Sequence, residues 1–386
     1  MSLSGKRILL AISGSIAAYK GCELVRYLVQ EGASVRVVMT ENAKKFVSPL
    51  TLSVLSCEDV YTEMFDGLPH IGLTEWADII LIAPATANII AKAASGIADD
   101  LLSTIILAAD SPILFVPAMN ERMFNSPTTQ RNIKNLRLFG WNVLEPDTGE
   151  LACGTSGKGR FLPVEYIVAS AERILYNKPD LDGKRVIITA GPTFENIDPV
   201  RVIGNLSSGK TGYAIARECW KRYADVLLIS GKTELPAPPG VRVIRFTDSR
   251  ELFSLLTDEF PGADILVMAA AVSDFLPKKS DTKIKQKEGL TLRFLPNRDI
   301  LASLKKRVGK TVVGFALETE NLKENAKKKL EEKGMDIIYV NSPNSISSDE
   351  TEGIIIERGR EPVAVPRMSK SEFAALLVDR ICELSQ

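Results

Sequence analysis

The sequence predicts two α/β domains, each built around a doubly wound parallel sheet, and three observations support this fold class. The chain has 386 residues, 45% of them hydrophobic, which exceeds what one core usually supports. Apolar runs alternate with helical patterns in both halves, as in stacked βαβ units. The second half also restarts like the first, since Gly-Lys-Arg precedes an apolar run at Gly5 and at Gly183. So short a likeness indicates two similar folds rather than a repeat.

Eight apolar runs bounded by turn residues are predicted as buried strands. They are Arg7–Ile12, Val35–Met39, Asp78–Ala83, Ile113–Pro117, Arg185–Ala190, Asp225–Ile229, Asp264–Ala269 and Thr311–Ala316. Ala17, Gly21, Leu24 and Leu28 recur at helical spacing after the first run, and the charged stretch Asn321–Lys333 is also typical of a helix. Right-handed crossovers place the strand ends at one edge of each sheet, where ligands of open α/β sheets bind.

A domain boundary is predicted at Tyr176–Gly183, because a turn sequence with Pro, Asp and Gly follows a helix that begins near Pro163. We therefore expect one domain at residues 1–178 and a second at residues 179–386.

Composition argues against several classes of protein. The 48 Lys and Arg balance 48 Asp and Glu without a long block of one sign, so neither a nucleic-acid nor a membrane partner is expected. Five scattered cysteines without Cys-x-x-Cys spacing predict neither a disulfide framework nor a structural zinc site. No apolar run is long enough to span a bilayer, and the early strand-like run leaves no room for a signal peptide. We expect a cytoplasmic protein with small-molecule ligands.

Two polar turns follow predicted strands of the first half. Ser13-Gly14-Ser15 runs into a helix, so that backbone N–H groups and hydroxyls would meet an anion such as phosphate. Pro84-Ala85-Thr86-Ala87-Asn88 follows another strand and faces the same edge. One such turn is equally explained by an ordinary serine N-cap, but two together favour a cofactor site.

Three residues of the first half are candidates for chemistry. His70 is the only histidine and is predicted to lie before the helix that leads to Trp76. Any imidazole acid–base chemistry depends on it, although a lone histidine is more often structural. Asn120 follows a predicted strand, and its neutral amide suits a substrate carboxylate or a helix N-cap. Cys153 lies in a glycine-rich loop with Lys158 and Arg160, which we expect to be exposed, mobile and electropositive, and which suits a proton-donating or redox cysteine.

Residues from about Gly5 to Arg160 resemble the homo-oligomeric flavin-containing cysteine decarboxylases, specifically the phosphopantothenoylcysteine decarboxylases. The motifs that carry the resemblance are Gly14-Ser15-Ile16-Ala17-Ala18-Tyr19-Lys20, His70, the Pro-x-Met-Asn-x-x-Met motif at Pro117–Met123 and the loop around Cys153. Phe124 stands where many members have tryptophan, and we expect altered packing there rather than lost activity.

This resemblance implies a flavodoxin-like flavoprotein domain that binds FMN. The cysteinyl side of the substrate would be oxidised toward a thioaldehyde, which stabilises the carbanion left by carbon dioxide as an enethiolate. By the resemblance, Asn120 binds the departing carboxylate, His70 does acid–base and positioning work, and Cys153 donates a proton. Ser95–Thr104 would lie near an intersubunit flavin site. The implied flavin-binding residues are Ser13, Gly14, Ser15, Thr40, Pro84, Thr86, Asn88, Ser103 and Met119.

Gly204–Thr211 satisfies the G-x-x-x-x-G-K-[ST] pattern of a P-loop. A P-loop links the first strand of its sheet directly to a helix. Here Gly191-Pro192-Thr193 follows the strand and a long polar insertion precedes Gly204, so the context fails, although a helix that begins near Ser208 could still bind an anion.

Lysines are the more informative signal in the second half. Five of them crowd the segment from Lys278 to Lys287, and Lys329 and Lys333 share one face of a predicted helix. Such cations neutralise charge when pyrophosphate departs, but a solvated loop and a charged helix surface explain them as well.

Most of Gly183–Asn344 resembles phosphopantothenate-cysteine ligases. The matching motifs are Ala190-Gly191-Pro192-Thr193, Asp198-Pro199-Val200-Arg201, Asn205–Gly212, Ala271-Val272-Ser273-Asp274, Lys283-Ile284-Lys285, Asp299-Ile300-Leu301 and Gly314-Phe315-Ala316-Leu317-Glu318-Thr319. Arg298 replaces the proline that is common before Asp-Ile in this family.

The second resemblance implies a Rossmann-like ligase domain in which 4′-phosphopantothenate attacks CTP and cysteine captures the acyl cytidylate. Asn205 would bind that intermediate, Lys283 would meet phosphate, and Mg²⁺ would bridge phosphate oxygens. The implied nucleotide-binding residues are Ala270, Asp274, Lys283, Arg298, Asp299, Ile300, Leu301, Phe315, Lys329 and Lys333.

Together the resemblances predict a bifunctional enzyme of coenzyme A biosynthesis, which ligates 4′-phosphopantothenate to cysteine and decarboxylates the phosphopantothenoylcysteine that forms. They imply a homo-oligomer with trimeric decarboxylase and dimeric ligase contacts, which are compatible with a dodecamer. Two alternatives stay open. A flavodoxin-like electron carrier or sensor fused to a nucleotide-binding module would not need Cys153, and a P-loop ATPase would lose hydrolysis on Lys210→Ala.

Overall fold

The computed structural model describes residues 3–65, 69–150, 154, 156–285, 290–304, 308–317, 322–341 and 348–384. Contacts divide the chain into two compact units, residues 1–177 (unit 1) and residues 178–386 (unit 2). No helix among the residues in these ranges is long and apolar enough to cross a bilayer.

Unit 1 alternates strands with helices, as the sequence predicts. Its strands are β1 (Arg7–Ile12), β2 (Ser34–Met39), β3 (Val60–Tyr61), β4 (Ile79–Ala85), β5 (Ile113–Pro117), β6 (Asn142–Val143), β7 (Asp147–Glu150) and β8 (Ser156–Arg160). Its helices are α1 (Lys20–Gln30), α2 (Pro49–Ser56), α3 (Pro69–Trp76), α4 (Ala87–Ser95), α5 (Leu101–Ala108), α6 (Glu121–Phe124), α7 (Pro127–Leu138) and α8 (Val164–Tyr176), with 3-10 helices at Ile16–Tyr19 and Ala43–Lys45.

The main sheet of unit 1 is parallel, with strand order β3-β2-β1-β4-β5-β6. Without the two-residue edge strand β3, the remaining five follow the 2-1-3-4-5 order of flavodoxin-like sheets. Every residue of β4 is buried, because separate apolar layers cover the two faces of the sheet. The strand order reverses between β1 and β4, so the expected ligand crevice lies at the carboxyl ends of these two strands.

Unit 2 repeats this architecture with additional hairpins. Its strands are β9 (Arg185–Ala190), β10 (Phe194–Asn196), β11 (Val202–Gly204), β12 (Asp225–Ser230), β13 (Arg242–Arg245), β14 (Ile265–Met268), β15 (Phe275–Pro277), β16 (Phe294–Pro296), β17 (Thr311–Leu317), β18 (Ile337–Asn341), β19 (Glu350–Glu357) and β20 (Val363–Ser369). Its helices are α9 (Lys210–Lys221), α10 (Ser249–Glu259), α11 (Ile300–Ser303), α12 (Leu322–Glu332) and α13 (Lys370–Leu384), with a 3-10 helix at Phe260–Gly262.

The main sheet of unit 2 has the order β13-β12-β9-β14-β17-β18-β19-β20. The first six strands are parallel and, numbered by themselves, follow the 3-2-1-4-5-6 order of Rossmann folds. β19 and β20 extend the sheet as antiparallel strands. The prediction of two doubly wound α/β folds is therefore confirmed.

All eight predicted strands are present, each within two residues of its predicted ends. Two local expectations were wrong. Ser156–Arg160 forms strand β8 rather than part of a mobile loop, and the polar insertion after β9 contains the hairpin of β10 and β11. These strands are short and carry glycine or exposed side chains, so they lack the apolar run that identifies a buried strand.

Candidate active sites

The turns after β1 and β4 are joined at the carboxyl edge of the first sheet. Ser13 is buried, and its hydroxyl donates to the carbonyl oxygen of Pro84 at 2.7 Å and accepts the N–H of Thr86 at 3.0 Å. Thr86 in turn caps α4, since its side chain accepts the N–H of Ile89. The two polar turns that the sequence singles out therefore meet at the switch point of the sheet.

Gly14 allows this turn to approach the segment after β2. A Cβ atom on Gly14 would lie 2.4 Å from the Cβ of Asn42, closer than real contacts allow. Next to it, the hydroxyl of Ser15 accepts the N–H of Ala17 at 3.3 Å and donates to the carbonyl oxygen of Ala118 at 3.4 Å. The Ser13–Ser15 turn is thus a backbone cradle between the ends of β1, β2, β4 and β5.

Thr40 contributes a buried polar atom to the same edge. It follows β2, and its N–H donates to the carbonyl oxygen of Ile12 at 3.1 Å. Its Oγ1 is buried and has no hydrogen-bond partner among the described residues. A buried hydroxyl without a partner costs about 1–3 kcal/mol, so this atom suits a ligand that accepts or donates there.

Two predicted flavin-binding residues, Asn88 and Ser103, make no described hydrogen bond to the Ser13–Ser15 cradle. Asn88 is exposed in the first turn of α4. Ser103 is buried in a capping box: its Oγ accepts the N–H of Asp100 at 3.0 Å, and its N–H donates to the carboxylate of Asp100 at 2.8 Å. Its described hydrogen bonds all stay within the Asp99–Ser103 turn, so these contacts do not join Ser103 to the cradle.

Asn120 begins helix α6 and is half-buried. Its Oδ1 accepts the N–H of Arg122 at 2.9 Å, which is an N-cap, so the simpler use that the sequence allows does occur. This contact also orients the amide, with Nδ2 as its donor end.

The β7–β8 hairpin docks on the turn that holds Asn120. The N–H of Met119 donates to the carbonyl oxygen of Gly159 at 3.0 Å, and the N–H of Lys158 donates to the carboxylate of Glu121 at 3.2 Å. A Cβ on Gly159 would lie 2.2 Å from the carbonyl oxygen of Met119, so only glycine permits the contact. Cys153 lies between these strands in the sequence and outside the described residues.

The charge beside the hairpin is partly balanced. The ammonium of Lys158 lies 2.7 Å from the carboxylate of Glu145 and 5.4 Å from the ring centroid of Phe124. Because Lys158 is paired with Glu145, its charge alone does not give the cysteine loop the electropositive character expected from the sequence. Phe124 itself is buried.

His70 is the second residue of α3, not a residue before the helix as the sequence suggested. Its backbone carbonyl accepts the hydroxyl of Thr74 at 3.0 Å. Its ring Nδ1 is buried and lacks a hydrogen-bond partner within the part of the chain that the structure describes. The imidazole therefore keeps one nitrogen for a ligand or a proton.

Glycines bring helix α9 directly against the end of β9 in unit 2. Gly191 and Gly209 have φ angles of 77° and 76°, and a Cβ on Gly212 would lie 2.6 Å from the Cβ of Ala190. The β10–β11 hairpin separates strand from helix, unlike in a P-loop. Lys210 also pairs with the carboxylate of Asp349 at 2.6 Å, so the geometry does not favour a P-loop ATPase.

Residues 271–274 form a turn on which several motifs converge. The amide Nδ2 of Asn205 donates to the carbonyl oxygen of Val272 at 3.2 Å. The amide Nδ2 of Asn297 donates to the carbonyl oxygen of Ser273 at 2.7 Å. Ala270, just before the turn, donates its N–H to the hydroxyl of Thr189 at 3.1 Å. Asn297 was missed from sequence, because a single asparagine in a polar loop carries no pattern.

The structure brings two predicted nucleotide-binding residues together. Asp299 caps α11 through the N–H of Ala302 at 2.9 Å, and its other oxygen lies 3.0 Å from the ammonium of Lys333. Lys329 lies one turn earlier in α12 and is half-buried. Of the two lysines predicted to share a helical face, Lys333 contacts the α11 turn through Asp299.

The remaining predicted nucleotide-binding residues differ in exposure. Ile300 and Leu301 belong to the hydrophobic core, so a ligand could meet only their backbone. Arg298 is exposed and stacks over Phe253, 4.7 Å from its ring centroid. Phe315 is half-buried against Tyr339, and Asp274 is exposed.

Asp198 is a fully buried carboxylate in the loop between β10 and β11. It accepts the N–H groups of Val200 and Arg201, each at 2.8 Å, and that of Ile284 at 3.2 Å. Burial opposes its ionisation, but these hydrogen bonds and the charge of Arg201 lower the pKa of Asp198 to about 2.

The low pKa of Asp198 predicts a defined loss of stability in acid. The pKa falls from 3.8 to about 2 on folding, so the ionised carboxylate stabilises the fold fully above about pH 4. This contribution is lost as the pH falls toward 2. The difference in urea midpoint between the natural chain and Asp198→Asn should be constant from neutral pH to about pH 4 and shrink below it. A difference that grows on acidification would contradict the assignment.

No cluster of three or more His, Cys, Asp and Glu side chains in the described ranges is arranged to hold a metal ion. A cavity of about 440 Å³ lies at the opposite, amino-terminal edge of the second sheet, and none of the predicted site residues lines it. Among its lining residues, Lys310 donates to the carbonyl oxygen of Pro261 at 3.1 Å and Arg358 to that of Met335 at 2.8 Å. These cations secure chain turns.

Comparisons with known proteins cover the whole chain. Residues 1–175 match the family described as Flavoprotein, and residues 181–384 match the family described as DNA/pantothenate metabolism flavoprotein C-terminal domain. The coenzyme A biosynthesis bifunctional protein CoaBC of Bacillus subtilis is 41% identical over 399 residues, which span 100% of this chain and 98% of that protein. The protein of the same name from Mycobacterium tuberculosis is 40% identical over 402 residues, with 97% and 96% covered.

Solved structures resemble each half separately. A crystal structure of the C-terminal domain of a CoaBC protein is 32% identical, with a TM-score of 0.47, and covers 53% of this chain and 97% of that one. A PPC decarboxylase complexed with pantothenoylaminoethenethiol is 35% identical, with a TM-score of 0.39, and covers 43% of this chain and 96% of that one.

Proposed function

This chain belongs to the family of coenzyme A biosynthesis bifunctional proteins, and we propose how its two units divide the two reactions. Unit 2 ligates cysteine to 4′-phosphopantothenate, and unit 1 decarboxylates the phosphopantothenoylcysteine that results. The observation that carries this division is the coincidence of each family match with one compact unit: residues 1–175 lie in unit 1 and residues 181–384 in unit 2.

The cradle of unit 1 suits FMN. The Gly14 turn packs tightly against Asn42 at the switch point of the sheet, and the buried Oγ1 of Thr40 has no hydrogen-bond partner among the described residues. Ser15 and Thr86 add hydroxyls at the same edge, which suits a phosphate group. When bound, FMN supplies the reversible two-electron oxidation that makes loss of carbon dioxide feasible.

The chain's own side chains do the remaining work of decarboxylation. Asn120, oriented by the N–H of Arg122, holds the substrate carboxylate as a neutral donor and so does not neutralise the group that must leave. His70 positions the substrate through its ring and exchanges a proton. Cys153 donates the final proton from Sγ. The docking of β8 on the Met119–Glu121 turn supports a site that combines the cysteine loop with Asn120.

Replacing Thr40 by valine tests the flavin site. In flavin-free protein, the isosteric change should leave the free energy of unfolding unchanged or raise it by up to ~1 kcal/mol, since it removes a buried hydroxyl that has no partner in the described part of the chain. The dissociation constant of FMN should rise about 3- to 10-fold, because one hydrogen bond is lost. Urea titration and fluorescence titration with FMN measure the two effects.

Thr74→Val is the matched control, since the hydroxyl of Thr74 already donates to the carbonyl oxygens of His70 and Ile71. It should leave FMN affinity unchanged. An unchanged dissociation constant in Thr40→Val would remove Thr40 from the flavin site.

Unit 2 is proposed to activate 4′-phosphopantothenate with CTP. Asn205, tied to the 271–274 turn, binds the acyl cytidylate, and Lys283 meets the phosphates as pyrophosphate leaves. Lys333, beside Asp299, completes the cationic surface for the nucleotide. Mg²⁺ is proposed to be held mainly by the nucleotide phosphates and water, and no protein ligand is assigned to it.

Self-association is part of the proposal. Exposed apolar side chains occur in unit 1 at Leu50 and Val54 of α2, and in unit 2 at Leu206 and Phe275. These exposed apolar side chains are available to interfaces between copies of the chain. We assign trimeric contacts to unit 1 and dimeric contacts to unit 2, in an assembly that works in the cytoplasm.

The test supplies 4′-phosphopantothenate and cysteine with each nucleoside triphosphate in turn and follows nucleoside monophosphate and carbon dioxide. CTP should give both products in equal amounts. Protein stripped of flavin should still release cytidine monophosphate but no carbon dioxide. Release of nucleoside diphosphate would refute activation through an acyl cytidylate, and carbon dioxide from flavin-free protein would refute the flavin-dependent decarboxylation.

A further inference from the structure

The carboxylate of Asp198 organises the loop between β10 and β11, and neither proposed reaction assigns Asp198 a role. Asp198 is fully buried, although the loop between β10 and β11 is otherwise largely exposed. One oxygen accepts the N–H groups of Val200 and Arg201, and the other accepts the guanidinium of Arg201 at 2.7 Å. A carboxylate satisfied in this way holds the loop in one conformation.

Asp198 and Arg201 also bind the backbone N–H and carbonyl groups of Ile284, a residue distant in the sequence. Asp198 accepts the N–H of Ile284 at 3.2 Å, and the Nη1 of Arg201 donates to the carbonyl oxygen of Ile284 at 3.2 Å. Ile284 is half-buried, while Lys283 and Lys285 on either side are exposed. The two lysines therefore project from a peptide that is anchored more than 80 residues away in sequence.

The other end of the loop leads to Asn205. Strand β11 pairs with β10 and ends at Gly204, where a Cβ would lie 2.7 Å from the Phe194 ring. The hairpin is itself fixed to the body of unit 2, since the N–H of Phe194 donates to the carbonyl oxygen of Thr247 at 2.8 Å. Asp198 thus lies on the short stretch of chain that supports Asn205.

We propose that Asp198 is a positioning residue for ligation, which holds the Lys283 segment against the loop that carries Asn205 so that both act on one phosphate. This inference rests on the proposed roles of Lys283 and Asn205. Asp198 touches no substrate. It acts by removing the freedom of the Ile284 peptide, and small displacements of a positioned group cost up to about 100-fold in rate.

The experiment is a double-mutant cycle between Asp198 and Lys283 in the full-length holoenzyme. Asp198→Asn keeps the size of the side chain but turns an amide toward the Ile284 N–H and Arg201. Asp198→Ser keeps an oxygen for the loop N–H groups and is too short to reach Ile284, so the loop can still fold. Both variants are combined with Lys283→Gln. Cytidine monophosphate release measures ligation, and decarboxylation of supplied phosphopantothenoylcysteine measures unit 1.

Each Asp198 variant should lower kcat of ligation about 10- to 100-fold, with a smaller change in the KM for CTP. In the Lys283→Gln background the same variants should lower it less than about 2-fold, because the group they position is gone. Asp248→Asn is the matched control, since Asp248 also accepts two backbone N–H groups, at 3.1 and 2.9 Å, but caps α10 only. It should leave ligation unchanged.

Two failures are distinguishable. Full ligation by Lys283→Gln would overturn the proposed role of Lys283. The positioning role would be overturned, while the proposed function stands, by a large loss in Lys283→Gln combined with either of two results. In the first, the Asp198 variants lower kcat by the same factor with and without Lys283→Gln. In the second, the Asp198 variants affect ligation no more than Asp248→Asn does.

Discussion

Replacing Cys153 by serine is expected to lower formation of 4′-phosphopantetheine about 10³-fold, the middle of the range for loss of a positioned proton donor. A serine hydroxyl has nearly the size of the thiol but is a far weaker acid, so the final proton transfer fails. Binding of substrate should persist, because Asn120 and the cradle are untouched. Release of cytidine monophosphate by unit 2 should be unchanged.

The measurement separates carbon dioxide from the thiol product in single-turnover experiments. Cys153→Ser should release carbon dioxide and accumulate an oxidised product without 4′-phosphopantetheine. Cys57→Ser is the control: this cysteine is exposed at the end of α2, and its substitution should preserve both products. Normal product formation by Cys153→Ser would refute the role assigned to Cys153.

Replacing Lys283 by glutamine should impair the other reaction: ligation should fall about 10²-fold while decarboxylation of supplied phosphopantothenoylcysteine continues. Glutamine keeps most of the length and the ability to donate a hydrogen bond but removes the charge that stabilises the departing pyrophosphate. The loss should appear mainly in kcat, since the charge on the phosphates increases as the bond breaks.

Lys279→Gln is the matched control for this variant. Lys279 is exposed in the same basic segment but is separate from the peptide that Asp198 and Arg201 anchor. It should retain ligation within about 2-fold. Equal losses in the two variants would mean that the segment acts through its general charge and not through one positioned ammonium.

The eight predicted strands could be recognised because they are apolar and largely buried inside the two sheets. Among the parallel strands that were not predicted, β3, β6 and β13 are short or partly exposed. Arg7–Ile12 and Ile113–Pro117 are continuous apolar runs with turn residues at their ends, and the structure has these strands at the same bounds. The turns at Ser13 and Thr86 were equally readable, since polar residues after two such strands must lie at one edge of a parallel sheet.

Other parts of the candidate sites left no local signal. Gly157 and Gly159 of the β7–β8 hairpin allow close approach to Glu121 and Met119. These partners lie some 40 positions earlier, so the local sequence does not reveal the contact. His70 was predicted ahead of a helix that in fact includes it. The capping box of Ser103 and the core positions of Ile300 and Leu301 likewise depend on packing rather than on the motif that contains them.

The amino-acid sequence by itself determined the two α/β units, their strand-end turns and the pair of families they resemble, because burial and turn chemistry act over a few neighbouring residues. Only the tertiary structure decided which groups have partners and which do not. Thr40 is left with a buried hydroxyl, and Asp198 reaches Ile284, because each result depends on atoms brought together from separate strands and loops. A hydrogen bond requires approach within about 3 Å, and the fold alone sets such distances between residues far apart in the chain.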